Sequence, residues 1–597
     1  MRTRRTNQNA RNVPPLVIVS IALVLLLAAL PSALNLPQSN PSQTLEYAPV
    51  PPDDQRETPP LGNLSALGLG TSRALGGRSA QGPGDAAAGA GGAAGTGKNP
   101  STKRCVGNPP RQTEDPLAPP CVAHFNGDNF GATYPGVTAD EVRVVIYASR
   151  PPWSERWDLG QPPAEDEPGW IGGLRAYQRY FNERYQTYGR FVRFFVRTDA
   201  GVDPGPTAES RRSDAADDYT RFRPFAVVAS SFRLNDAYAA EMARRGAVVI
   251  VGNGAGGSNG GAFTTNGEFR RFPGLIWAYS PTVEYRAELF ISYVCTKVVP
   301  FRVSFTGNPP DQGMPRRIGL IVVTDPRRPD QVEFGRLVRD GIKRCGANVV
   351  AEGTLPSDNV GGAADYEAGM QNVALFRQER VTTVVQAAGT SVGGGQTKPA
   401  GASGYRPEWV LAGDYLNDAN IAGQEGLGQD QTVWRNARVV SLYTRVSDVE
   451  HQDCFAAARE GDPATPRSAA KGGACLIYPD LRMLFTGIQV AGPRLGPKSI
   501  DRGYHAIPAI ASTNPTVPAC FFNPGDYACV KDAQAQWWDP SGVPPDADGT
   551  GCWKGMEGGR RYLAGTWPEG DVEAQRNPAA DQCNYQGLTV DGQVGDS

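Results

Sequence analysis

Apolar residues gather into short runs of strand length at 142–148, 190–196, 225–229 and 247–251, each separated from the next by a segment long enough for a helix. A second series of the same kind follows at 318–323, 347–351, 382–387 and 408–412. Between the two, Trp277-Ala278-Tyr279-Ser280-Pro281-Thr282-Val283 ends one alternation and begins the other. Helical spacing is clearest over 331–345, where Phe334, Leu337, Val338 and Ile342 fall on one face. Two consecutive α/β units joined by a short extended connection predict two lobes, with a ligand held in the cleft between their strand ends. The expected boundaries are 105–280 for the first lobe, 281–445 for the second and 446–512 for return segments that complete them. From 513 to 597 few periodic apolar segments occur. Cys520, Cys529, Cys552 and Cys583 with Trp537, Trp538, Trp553 and Trp567 predict a disulfide-stapled wrap over one of the lobes, or else a separate partner- or wall-binding module.

The N-terminal part follows different rules. Arg2, Arg4, Arg5 and Arg11 lie in or beside a basic region over 1–12, and 13–30 is apolar and uncharged, the pattern of a transmembrane anchor or signal segment with arginines inside. An uncleaved anchor is the expected form, with secretion after cleavage as the alternative; either exports the rest of the chain. Residues 31–104 are Pro-rich, then Gly/Ala-rich, and bury too little apolar area to offset their ordering entropy, so they read as a disordered tether. Ten cysteines agree with an oxidising compartment, and nearest-neighbour pairing is the simplest expectation: Cys105/Cys121, Cys295/Cys345, Cys454/Cys475, Cys520/Cys529 and Cys552/Cys583. A formal net charge of −2 leaves no electrostatic footprint for a nucleic-acid partner.

Candidate chemistry lies at strand ends. Ala229-Ser230-Ser231-Phe232 runs toward a helix expected over 236–245. Small hydroxyl residues at such a turn either offer oxygens and backbone N–H groups to a ligand carboxylate or polar head, or cap the turn. Asp325, Thr390, Ser391 and Asp414 fall at strand ends expected to share one edge of the second sheet, and each is equally a turn-closing residue type. Gly252-Asn-Gly-Ala-Gly-Gly257 has GxGxxG spacing, but the continuation from Ser258 is rich in Gly and Asn and opens no helix, so no dinucleotide or other cofactor is expected. With only His124, His451 and His505, no CxxC, no Gly-x-Ser-x-Gly, no HExxH and no P-loop, neither a metal site nor an enzyme is expected. Paired carboxylates keep an extracellular hydrolase as a minor alternative.

The order of motifs resembles the type 1 periplasmic binding proteins, and within them the branched-chain amino acid (Leu/Ile/Val) substrate-binding proteins of ABC transporters. Gly136-Val-Thr-Ala-Asp-Glu-Val-Arg-Val144 is similar to the family's opening strand, and Ile276-Trp-Ala-Tyr-Ser280 to its crossover. The helix beginning near Val283, the strand and turn over 317–325 and the helix-to-strand passage over 366–389 are similar as well. Arg111-Gln-Thr-Glu-Asp-Pro116 with its flanking cysteines resembles actinobacterial members. The resemblance covers roughly residues 136–500. It implies two Rossmann-like lobes joined by three crossings that close on a ligand by hinge motion. One crossing is 277–283, and the others are expected near 412–420 and 441–448. By position, Ser230 and Ser231 take the carboxylate role with Asn253 on the neighbouring loop. Tyr279 lies by the hinge and reaches the ligand, while Asp325, Thr390 and Ser391 face them from the second lobe. No glutamate occurs in 388–395, where the family's ammonium partner is expected, which opens the ligand class to aromatic or larger polar solutes besides amino acids. The implied partners are a small-molecule ligand, an ABC permease and the membrane through the N-terminal segment. A tethered ligand sensor or cell-surface interaction protein on the same fold is the alternative.

Overall fold

The computed structural model describes residues 105–584, apart from 107–109, 113–117, 150–155, 165–166, 200–206, 231–234, 252–264, 327, 357–362, 389–393, 414–417, 425–428, 443–448, 467–472, 508–515 and 546–548. The expected anchor over 13–30 and tether over 31–104 lie outside the described residues. So does the stretch Gly252–Gly257.

Six strands build the first sheet: β1 Glu141–Ser149, β2 Arg156–Asp158, β3 Phe191–Asp199, β4 Ala226–Ser230, β5 Val248–Val251 and β6 Ile276–Ala278. Their order is β2-β3-β1-β4-β5-β6. All are parallel except β2, which caps the β3 edge antiparallel. Val144 to Ala148 are buried in succession, as expected for a parallel strand covered on both faces. One face carries α1 (Gly169–Arg184) with α7 (Asp453–Gly461), α8 (Gly473–Ala491) and α9 (Pro497–Ala506); the other carries α2 (Ala208–Phe222) and α3 (Asn235–Arg244).

The second sheet has eight strands: β7 Ile318–Val323, β8 Val349–Leu355, β9 Thr383–Ala387, β10 Glu408–Ala412, β11 Ala437–Ser441, β12 Asp532–Asp539, β13 Cys552–Gly555 and β14 Arg561–Leu563. The order is β8-β7-β9-β10-β11-β12-β13, with β14 also paired to β12. β7 to β11 are parallel and the last three are antiparallel. Helices α4 (Val283–Tyr293) and α5 (Pro329–Arg344) cover one face; α6 (Ala363–Gln378) covers the other. The Cys/Trp-rich tail therefore does more than wrap a lobe. Ala533, Ala535 and Trp537 of β12 enter one core and Trp538 the other, so its strand is as integral as any.

Three connections cross between the sheets. The first is Tyr279-Ser280-Pro281-Thr282, shorter than the 277–283 stretch expected, because Trp277 and Ala278 belong to β6. Thr282 caps α4 by accepting from Tyr285 N. The second leaves β11 at Ser441 and leads to α7, whose Cys454, Ala457 and Ala458 lie in the first-lobe core; of the crossing expected near 441–448, residues 443–448 lie outside the described residues. The third is not near 412–420, since β10 returns to β11 within the same sheet. It runs instead through the 520s into β12, where Cys529 N donates to Ala278 O (2.9 Å) and Val530 N to Tyr279 O (2.9 Å). All five expected disulfides are present: Cys105–Cys121, Cys295–Cys345, Cys454–Cys475, Cys520–Cys529 and Cys552–Cys583.

Candidate ligand site at the switch points and hinge

Among their parallel strands, both sheets place the second strand beside the first and the third on its other side: β3-β1-β4-β5-β6 and β8-β7-β9-β10-β11. Strand order thus reverses between β1 and β4 and again between β7 and β9, the places where open α/β sheets leave a crevice beyond their carboxyl ends. The two crevices lie on the side of their sheets where the crossings run. β6 ends at Ala278 against Ala528 of the third crossing, and its parallel neighbours end on that side too. β12 starts from the crossing at Asp532 and runs antiparallel to β11 with Gln534 opposite Ser441, so β7 to β11 also end there.

Of the residues expected to contact ligand, Ser230 ends β4 at the first switch point, in register with Ala148 of β1. Asp325 follows β7 at the second. The turn before it is fixed by Thr324, whose N and Oγ1 both donate to Leu355 O (2.9 and 3.1 Å), and Asp325 itself is buried, its carbonyl accepting from Arg328 N. Beside it Arg328 pairs with Asp330 at 2.9 Å, and the Arg286 guanidinium, one turn into α4, lies 4.4 Å over the Phe334 ring. Ser231, Asn253, Thr390, Ser391 and Asp414 lie outside the described residues. In chain order they follow β4, β5, β9 and β10.

Sequence reasoning missed a charged layer behind the first switch point. Tyr147 of β1 and Tyr238 of α3 stack at 3.8 Å, and Arg211 of α2 donates to the Tyr147 hydroxyl, which donates to Asp214 Oδ2 at 3.2 Å. Arg197 of β3 donates to Asp214 (2.5 Å) and Asp218 (2.8 Å), and Tyr238 OH donates to Asp218 Oδ2 (2.9 Å). Burial pushes the Asp218 carboxyl up, against the pull of Arg197 and the Tyr238 hydroxyl, and burial likewise raises both tyrosines. Asp214, Asp217 and Asp218 on adjacent turns of α2, opposite an arginine inside a strand, were the available signal. The layer locks the ends of β1 and β3 to α2 and α3. Tyr238→Phe removes a hydrogen bond to a buried charge and is expected to cost about 1.5–3 kcal/mol in denaturant unfolding; a change below a few tenths would show that Asp218 does not depend on it.

Tyr279 lies in the first crossing. Its hydroxyl accepts from Arg482 Nη2 of α8 at 3.4 Å, and the same guanidinium lies over the rings of Tyr279 (5.7 Å) and Tyr478 (5.3 Å), with Asp453 of α7 at 3.9 Å. Burial raises the Tyr279 hydroxyl, an effect moderated by Arg482 and Arg561. Arg561 of β14 donates to Asp532 Oδ1 (2.8 Å) and to Leu442 O (3.0 Å), tying the start of the second crossing to the end of the third. All three crossings thus meet around Tyr279, Asp532 and Leu442. Among the described residues no group of three or more His, Cys, Asp or Glu is placed to hold a metal, and no helix is long and apolar enough to cross a membrane.

No family model matches the chain, and no curated protein matches it. Solved structures do. An ABC transporter substrate-binding protein of Desulfitobacterium hafniense is 14% identical with a TM-score of 0.43, over 69% of this chain and 100% of that one. A solute-binding protein of an ABC transporter from Rhodopseudomonas palustris BisB5, in complex with 3,4-dihydroxybenzoic acid, is 12% identical with a TM-score of 0.46, over 71% and 98%. A leucine-, isoleucine-, valine-, threonine- and alanine-binding protein of Brucella ovis, in its closed conformation, is 11% identical with a TM-score of 0.44, over 74% and 100%. The structural neighbours are thus substrate-binding proteins of ABC transporters at low sequence identity, and the ligands in their names are those of the neighbours.

Proposed function

We propose that this chain is an extracytoplasmic solute-binding protein that captures a small polar or amino-acid-like ligand between its lobes by hinge closure and hands it to an ABC importer, without chemistry on the ligand. One observation carries the reading: two sheets with the same strand order open their switch points on the same side as three crossings that meet at Tyr279. A ligand bound there touches both lobes, so its binding energy favours the closed arrangement over the open one. Ser230 and Ser231 would present hydroxyls and amides from the first lobe, with Asn253 beside them. Asp325, Thr390, Ser391 and Asp414 would answer from the second. The basic and apolar N-terminal segments would hold the protein at the membrane and the Pro/Gly/Ala-rich stretch would give it reach. The segment 111–116 with its flanking cysteines, Cys105 and Cys121, supports an actinobacterial-like member of the type 1 periplasmic binding proteins as part of this reading.

A thermal-shift screen with amino acids, amides, ureas, peptides and sugars tests this. A true ligand raises stability as RT ln(1 + [L]/Kd), about 2.7 kcal/mol at a hundredfold excess over Kd. Asp325→Ala and Ser231→Ala are each expected to abolish the shift produced by that ligand. If no compound moves the melting temperature the solute-binding reading fails; if both variants bind as the parent does, the residue assignment fails. The same anchor and tether also suit a membrane-bound sensor, and the presence of permease and ATPase genes beside this one would favour import.

A further inference from the structure

One disulfide of the five lies inside a crossing. Residues 519–531 form a hairpin whose arms are joined by Cys520–Cys529, by Phe521 N donating to Cys529 O (3.2 Å) and by Lys531 N donating to Ala519 O (2.9 Å). One arm runs beside the first crossing: Ala278 N donates to Tyr527 O (2.8 Å), in addition to the bonds from Cys529 and Val530 described above. The hairpin also touches both lobes. On the first-lobe side Trp277 packs on Phe522 and Tyr527 at 5.2 and 5.1 Å, and His505 Nε2 lies 3.1 Å from Asp526 O. On the second-lobe side Tyr285 OH of α4 donates to Lys531 O at 3.0 Å, and Ala519 N donates to Asp532 Oδ2 at 2.9 Å. One arm of the third crossing is therefore paired with the first crossing by backbone hydrogen bonds, and the disulfide ties that arm to the other arm of the same hairpin.

We propose that Cys520–Cys529 is a redox-sensitive strap on the hinge: oxidised, it keeps the third crossing seated on the first and defines the line about which the lobes close; reduced, it releases that crossing and weakens closure. This rests on the hinge-closure reading above. Cys529 is fully buried while Cys520 is half-buried, so Cys520 is the more accessible member of the pair. A dithiol reductant's thiolate would bond to Cys520 Sγ as the Cys520–Cys529 bond breaks and Cys529 leaves as a thiolate that takes up a proton. The second thiol then resolves the mixed disulfide, leaving two protein thiols and one disulfide on the reductant, a transfer of two electrons and two protons.

Hydrogen exchange on the full chain reads the strap without any ligand. The Cys520→Ser/Cys529→Ser variant is expected to exchange at least tenfold faster than the parent in peptides spanning 276–282 and 527–533, with peptides over 144–147 and 320–323 unchanged. Unchanged hinge peptides overturn the proposal. So does an equal rise in the sheet peptides, which would make the disulfide a general staple of the fold. If the variant does not fold, the parent chain titrated with dithiothreitol serves: hinge exchange must rise in step with alkylation of Cys520 and Cys529. A rise that follows alkylation of Cys454 and Cys475 instead, or no rise, overturns it. Because exchange needs no ligand, failure here leaves the solute-binding reading standing, and an empty ligand screen leaves this result standing.

Discussion

Replacing Glu408 by alanine is expected to destabilise the second lobe by about 3–5 kcal/mol, the cost of taking a buried arginine's main counter-charge away and orphaning backbone amides beside it. Glu408 starts β10 and is fully buried. Its Oε1 accepts from Ser304 N (2.6 Å), Phe305 N (3.0 Å) and Arg316 Nη2 (3.0 Å), and its Oε2 from Arg316 Nε (2.7 Å) and Thr383 Oγ1 (2.6 Å). Every one of those donors is fixed by the fold. Without the carboxylate, Arg316 retains Asp571 at 3.2 Å, on the partly exposed tail, and two backbone amides are orphaned in the interior. Replacing Arg316 and Glu408 together by methionine removes the stranded charge but not the orphaned amides, so the double variant should recover part of the loss. Urea unfolding followed by tryptophan fluorescence measures both. A loss under about 1 kcal/mol for Glu408→Ala would mean that water replaces the carboxylate, contrary to the burial of the site.

Ending the chain at residue 512 is expected to abolish the folded second lobe. The truncation withdraws β12, which pairs with β11 from Arg438↔Trp537 to Ser441↔Gln534, and with it the third crossing. It also withdraws Trp537, Trp538, Trp553, Trp567, Met556 and Val572 from the two cores of that lobe. Burial of one large apolar side chain is worth about 1.5–3 kcal/mol. Six lost together amount to the order of 10 kcal/mol, the size of a whole domain's stability, about 5–15 kcal/mol. Asp571 and Glu573, partners of the buried Arg316 and Arg438, leave with them. Near-UV circular dichroism and the unfolding transition check the result. A soluble truncated chain with parent-like spectra and melting temperature would show the tail to be an accessory, the role its composition first suggested.

The contrast between that composition and the role of β12 explains what the sequence does and does not disclose. Asp532-Ala-Gln-Ala-Gln-Trp-Trp-Asp539 alternates with the period of a strand, but alanine and glutamine carry the pattern, so a search for branched apolar runs passes over it. β2 and β6 are too short to be read: three residues each leave too few positions to establish a period. The runs that become β1, β3, β4, β5 and β7 to β10 announced themselves. At the candidate site the strand-end residues were legible because strand ends are. The layer of Arg197, Arg211, Asp214, Asp218, Tyr147 and Tyr238 was not, since its members come from four elements and none is unusual in its own stretch.

Local order alone determined the two α/β series, the restart near Tyr279 and the strand-end position of Ser230 and Asp325; it made pairing of neighbouring cysteines the simplest expectation, and the structure supplied the connectivity. These depend on side-chain periodicity and short loop closure, which act over a few residues to a few tens of residues. Tertiary structure decided the rest: which strands lie side by side, that the third crossing comes from the tail, and that Glu408 and Asp218 are buried among donors. The reason is that strand order and charge burial are settled by apolar surfaces and hydrogen-bond partners far apart along the chain, and a partner supplied from a distant segment leaves no periodic mark on the residue it satisfies.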